Sequence, residues 1–161
     1  MGKDCSFRSE DHYFRYRAAA IIIENGCVLM AGNEASDYYY SVGGGVHLGE
    51  TAEDAVVREV LEETGIRYEI ERLAFIHECF FDGDGSATGL HCHEVAFYFL
   101  MKPRGSQKLD SDSVCSEGRE FMQWIPLDEL EKHKAFPVFF AEKLQNIPMY
   151  VEHIVTVERK S

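Results

Sequence analysis

The segment at residues 44–66, GGVHLGETAEDAVVREVLEETGI, constrains this chain more than any other. Its residues 51–64 are predicted to form a helix. Thr51 is a natural N-cap, and Asp54 three residues on completes a capping-box-like pair. Glu53 and Asp54 fall in the first turn, where the helix dipole favours acids. Val56, Val57, Val60 and Leu61 recur at helical spacing as one apolar stripe. Gly65 stands where a glycine cap ends a helix. The stripe has to be covered, so the rest of the chain must supply a surface for it.

The opposite face poses a different problem. Glu59, Glu62 and Glu63 stand at i, i+3 and i+4, which puts three carboxylates side by side. Like charges so placed repel by about 0.2–0.5 kcal/mol per pair on an exposed helix. A glutamate-rich face is ordinarily just solvated, but here no lysines alternate with the acids. The helix also follows Gly43-Gly44-Gly45, which lets backbone come close to a ligand. A cation between the carboxylates removes the repulsion. Oxygen ligands without His or Cys select Mg²⁺, Mn²⁺ or Ca²⁺ over zinc, and Mg²⁺ leaves positions for water and substrate phosphate. Arg58, four residues before Glu62, is placed to hold a carboxylate with both prongs of its guanidinium.

The surface for the stripe is expected from β-strands. Residues 17–23 and 27–30 read as a hairpin across Asn25-Gly26, and residues 38–42 as a third strand broken by Gly43-Gly44-Gly45. Residues 68–81 and 90–102 are two long strands joined by the loop DGDGSATG. Residues 120–125 and 149–158 add two more strands, and 127–132 and 138–147 are predicted helices. Many strands with few helices argue for an α/β sandwich on a mixed sheet. At 161 residues the chain suits one domain, taken as residues 13–161, after a polar, irregular lead-in at residues 1–12.

Composition excludes several functions. The net charge is −12 with no basic cluster, so a nucleic-acid duplex is not an expected partner. An acidic protein can still take an anionic substrate through a metal ion. No apolar run approaches the ~18 residues of a membrane span. The first residues have no apolar core of a secretory signal. The five cysteines are odd in number and form no CxxC pair, as reduced thiols would be. A cytoplasmic protein without membrane contact is the expectation. MGKDCS fits the N-myristoylation pattern, but no basic patch accompanies it, and coincidence is the better reading.

Gly44, five residues, Glu50, seven residues, Arg58-Glu59-Val60, one residue, Glu62-Glu63, one residue, Gly65-Ile66 resembles the Nudix hydrolase signature at every defining position. The strands before it and Trp124-Ile125-Pro126-Leu127 after it also look like that family, so the resemblance covers most of residues 15–157. It implies an α/β/α sandwich with a mixed β-sheet and a loop–helix–loop metal site. It implies a Mg²⁺-dependent (or Mn²⁺-dependent) hydrolase that cleaves a diphosphate bond in a nucleoside diphosphate derivative by water attack at phosphorus. Glu59, Glu63 and the carbonyl of Gly44 would be metal ligands by this resemblance. Glu62 would be either a third ligand or the catalytic base, a role open to Glu59 as well, with Glu50 and Arg58 orienting the set. A later carboxylate often joins such sites, and Glu120, Glu117 and Glu94 are the candidates, with Glu120 preferred. Arg17 could contact substrate phosphate, and Phe136 sits where some members place a base-stacking aromatic. His47 departs from the acid that many members carry there. The subfamily markers for particular substrates are largely absent. The chain is expected to act on a small nucleotide or related diphosphate, as monomer or homodimer.

Two local patterns carry less. His91 and His93 face one way on a strand and Cys92 the other, so His91-Cys92-His93 is no metal triplet. DGDGSATG lacks the glycine of a calcium loop at its sixth position and reads as a turn. The rival function is a non-catalytic nucleotide-sensing module on the same fold. Loss of a box glutamate would favour it, and none is lost.

Overall fold

Ala18, Ala19, Ala20 and Ile21 are all fully buried, although a strand points successive side chains to opposite faces. Such a strand needs cover on both sides, and it sits near the middle of the sheet. The computed structural model describes residues 2–110 and 119–158. The central strand is β2 (His12–Ile21), flanked by β1 (Ser6–Ser9), β5 (Tyr39–Gly45) and β7 (His91–Met101). The sheet runs β10 (Glu152–Glu158), β6 (Ile70–Asp82), β7, β2, β5, β4 (Cys27–Asn33), β3 (Ile23–Glu24), with β8 (Glu120–Pro126) on β4 and β9 (Ala135–Phe136) on β5. β2 pairs parallel with β7 and β10 parallel with β6, while most other pairs are antiparallel. This is an α/β architecture on a mixed sheet, as expected from the sequence.

Helix α1 (Ala52–Thr64) covers one face: Val56 and Val60 pack with Ala18, Ala20 and Val42. Ala19 and Ile21 face the other side, where Phe139 and Phe140 of the segment entering α2 (Phe140–Lys143) pack with Phe75. The hairpin at Asn25-Gly26 is present, with Glu24 opposite Cys27.

Three expectations change. The lead-in is not irregular: β1 pairs along its length with β2, Phe7 opposite Phe14, and Asp4 bridges to His47. Its residues are mostly exposed, so no apolar alternation announced the strand. The three glycines do not break β5 but extend it, with Gly43, Gly44 and Gly45 opposite Ala19, Ala18 and Arg17. Residues 138–147 yield only the short α2, because Phe139 and Phe140 are fixed in the core rather than spaced along one helix face. Residues 127–132 are helical over the expected bounds, Leu127–Lys132, wound as a tight 3₁₀ helix with Leu130 turned into the core.

Candidate metal and diphosphate site

The site grows from the ends of α1. Thr51 Oγ1 accepts from the Asp54 N–H at 3.0 Å, which closes the N-terminus as its sequence dictates. Gly65 ends the helix at φ 75° and returns its N–H to Leu61 O. Between these caps Arg58 makes the central connection. Its Nε and Nη2 donate to the two oxygens of Glu50 at 2.9 and 3.0 Å. Its Nη1 donates to Glu59 at 2.9 Å and reaches Glu62 at 3.5 Å, and Nη2 also donates to Gly45 O at 3.1 Å. One guanidinium thus ties the helix to the end of β5 and to the loop at Glu50. The Glu50 carboxyl is held down to about 2 by its hydrogen bonds with Arg58, helped by the His47 N–H and opposed by burial.

The carboxylates next to the glycine strand are in a harder place. Glu63 accepts from the Gly43 N–H at 2.9 Å. Burial, then repulsion from Glu120, push its carboxyl up to about 9 against the pull of Arg17. Burial likewise raises Glu59, opposed by Arg58. A side chain at Gly44 would collide with the Glu59 carboxylate, so glycine here leaves that carboxylate its place against the strand. Glu62 is the most water-exposed of the three helix carboxylates named above. Among the described residues no three metal-binding side chains converge on one point, since Arg58 and the Gly43 N–H hold Glu59 and Glu63. The donor set nevertheless fits a hard divalent cation: all its side chains are carboxylates, and burial opposes the charge on Glu59 and Glu63, a penalty a cation would offset.

The other candidates fall around this set. Glu120 accepts from the Tyr40 hydroxyl at 2.8 Å and acts electrostatically on Glu63. Arg17 stands opposite Gly45 and donates to Ser41 O at 2.6 Å and Ser41 Oγ at 3.0 Å. Phe136 is half-buried, edge-on to Tyr38 with ring centres 5.4 Å apart. Glu94 is paired to Arg15 on the neighbouring strand. Glu117 lies outside the described residues. Cys92 is buried while His93 stacks on Phe80 at 4.5 Å, so the His-Cys-His run splits between faces.

Sequence reasoning missed a cavity of about 660 Å³ on the sheet face turned away from α1, lined by Arg15, Arg17, His77, Glu94, Tyr38 and Phe136 among others. Its trace in the sequence is the same-parity row Tyr13, Arg15, Arg17 on a strand whose next residues are wholly apolar.

Comparisons with known proteins agree with this geometry. The family model described as NUDIX domain matches residues 14–144. A Mycobacterium tuberculosis protein carrying the name mutator protein MutT4 is 33% identical over 93 residues, 58% of this chain and 34% of that protein. A MutT-like protein of Streptomyces ambofaciens is 29% identical over 73% of this chain and 67% of its own length. The chain therefore spans about a third of the first relative and two thirds of the second. The solved structure of a mutator MutT protein from Bacillus halodurans superposes with a TM-score of 0.63, at 19% identity over 82% of each chain.

Proposed function

This chain belongs to the Nudix family, hydrolases of pyrophosphate bonds, and we propose that it cleaves a diphosphate bond in a nucleoside diphosphate derivative with Mg²⁺ or Mn²⁺. The observation that carries the reading is the Arg58 fork, which sets Glu50 and Glu59 against the glycine strand and leaves Glu62 open to water. Glu59, Glu62, Glu63 and the Gly44 carbonyl would hold the ion, with Glu120 as a further carboxylate beside Glu63. When bound, the ion neutralises charge on the diphosphate oxygens and acidifies water.

The residues of the chain do the rest. Arg17 has only one guanidinium nitrogen engaged with protein acceptors among the described residues, so its other N–H groups are available to a phosphate oxygen. Glu62 accepts the proton of the attacking water. Glu50 serves Arg58 and not the substrate, since both its oxygens are taken by the guanidinium. The four described cysteines are unpaired, which supports a reducing, cytoplasmic setting.

The test is conversion of nucleoside triphosphates, dinucleotides and nucleotide sugars to their phosphomonoester or pyrophosphate products, resolved by chromatography, with Mg²⁺ and with excess chelator. Turnover that needs Mg²⁺ or Mn²⁺ and stops with chelator is expected. Full turnover in chelator refutes the mechanism. Tight nucleotide binding without turnover would instead make the chain a sensing module.

A further inference from the structure

The cavity on the far sheet face has its own electrostatic pattern. Arg17 stands opposite Gly45, at the edge of the carboxylate site. Arg15 and its neighbour across the sheet, Glu94, lie one step of two residues further along, or ~7 Å. A ligand whose phosphates lie at Arg17 therefore extends naturally toward Glu94.

Glu94 is only 8% exposed, yet its carboxylate is half satisfied. Oε2 takes both bonds from Arg15, from Nε at 2.8 Å and from Nη2. Oε1 takes no donor among the described residues, and it is not one of their sealed-off polar atoms, so it borders the open space of the cavity. Burial would raise this carboxyl, but Arg15 and then Arg17 hold it below its ordinary value, so it is ionised. A purely structural buried ion pair would satisfy both oxygens, because a bare buried acceptor is costly.

His77 also lines the cavity. Its Nε2 lies 2.8 Å from Thr156 Oγ1, while its Nδ1 is sealed from the open space, so no ligand reaches it. Burial lowers the His77 pKa, which keeps the ring neutral. Glu94 Oε1 is thus the acceptor that the cavity offers to a ligand, while Tyr38 and Phe136 supply aromatic walls.

We propose that this cavity takes the base of the nucleotide substrate, and that Glu94 Oε1 accepts N–H from an exocyclic amine. Adenine, cytosine and guanine fit such a floor. Their oxo counterparts, uracil and hypoxanthine, place a carbonyl oxygen against an ionised carboxylate. A site built on unpaired polar groups rejects the ligand that cannot pair them more strongly than an apolar pocket could. The inference rests on the nucleotide reading of the site but not on the hydrolysis.

Calorimetric binding of CMP against UMP and of AMP against IMP, to the whole chain with Mg²⁺, tests it without turnover. The amino-bearing member of each pair is expected to bind at least tenfold tighter. Glu94→Gln, checked by a thermal melt, should bring each ratio within about threefold. Should that variant fail to fold, the wild-type ratios decide alone. Equal binding within both pairs, no binding of any of the four, or an unchanged preference in a folded Glu94→Gln protein overturns the proposal. Hydrolysis of the triphosphates, dinucleotides and nucleotide sugars of cytidine and adenosine, followed by chromatography in parallel, isolates the other reading. If none is cleaved while the binding preference persists, the hydrolase reading fails and the base assignment stands.

Discussion

Replacing Arg58 by alanine should cost the fold as well as the chemistry, and the size follows from what the guanidinium touches. It makes two bonds to Glu50, one to Glu59 and one to Gly45 O, at 2.9–3.1 Å. The three side chains are only 15–23% exposed. Removing one partner of a pair buried to this degree typically costs about 3–5 kcal/mol, because the other charge is left behind. Proton linkage supplies a second, independent figure. The folded value of Glu50 is about 2 against an ordinary 4.5. That gap corresponds to about 3 kcal/mol, which water at a partly exposed pair reduces to about 2. Since the folded value is depressed, this stabilisation is complete above pH 4.5 and is lost as pH falls toward 2. The remainder of the alanine penalty belongs to Glu59 and to the bare Gly45 carbonyl. Urea denaturation in chelator, at pH 7 and at steps from pH 5 to pH 2.5, measures both. Wild type should lose about 2 kcal/mol more than Arg58→Ala over that range, so the two curves approach each other in acid. A penalty under about 1 kcal/mol at pH 7, or parallel curves down to pH 2.5, would show that the fork contributes little to the fold.

Glu63→Gln keeps the size and the Gly43 hydrogen bond but removes the charge, so turnover should fall ~10²-fold or more at an unchanged melting temperature; near-normal turnover would remove Glu63 from the site. Gly44→Ala drives a methyl into the Glu59 carboxylate, and the expected result is weaker activation by Mg²⁺, read as a higher concentration for half-maximal rate. An unchanged Mg²⁺ titration would mean that α1 can back away from β5 without consequence. Phe136→Ala should raise the Michaelis constant by the equivalent of ~1–3 kcal/mol with the turnover number preserved, if the ring stacks on a base. Because Phe136 is half-buried, its loss should shift the melt only modestly; a large drop in melting temperature with an unchanged Michaelis constant would return the residue to the core.

What could be read from the sequence was whatever is decided within a few residues. Thr51, Asp54 and Gly65 delimit α1 by bonds that span three or four positions, and the helix lies within one residue of its expected bounds. Asn25-Gly26 closes a hairpin for the same reason. Glu50, Arg58, Glu59 and Glu62 meet because eight residues of loop and helix already bring them together. Strand pairing across the sheet follows no such local rule. β1 is exposed and polar, and what orders it is a partner, β2, with no apolar pattern of its own. Gly43-Gly44-Gly45 looks like a break because glycine lacks a strand's side chains, yet here β5 runs on through it, with room at Gly43 for the β2 backbone and at Gly44 for the Glu59 carboxylate. The Arg15–Glu94 pair joins residues 79 apart, through a parallel register that neither segment encodes by itself. Its parts were nevertheless visible: charged residues at alternate positions on a strand that turns wholly apolar two residues later. Charge persisting on the inward parity of a central strand requires either a paired charge or a ligand. Arg15 has its pair in Glu94, whereas Glu94 keeps one oxygen over, and that remainder makes the cavity floor chemically selective rather than merely buried.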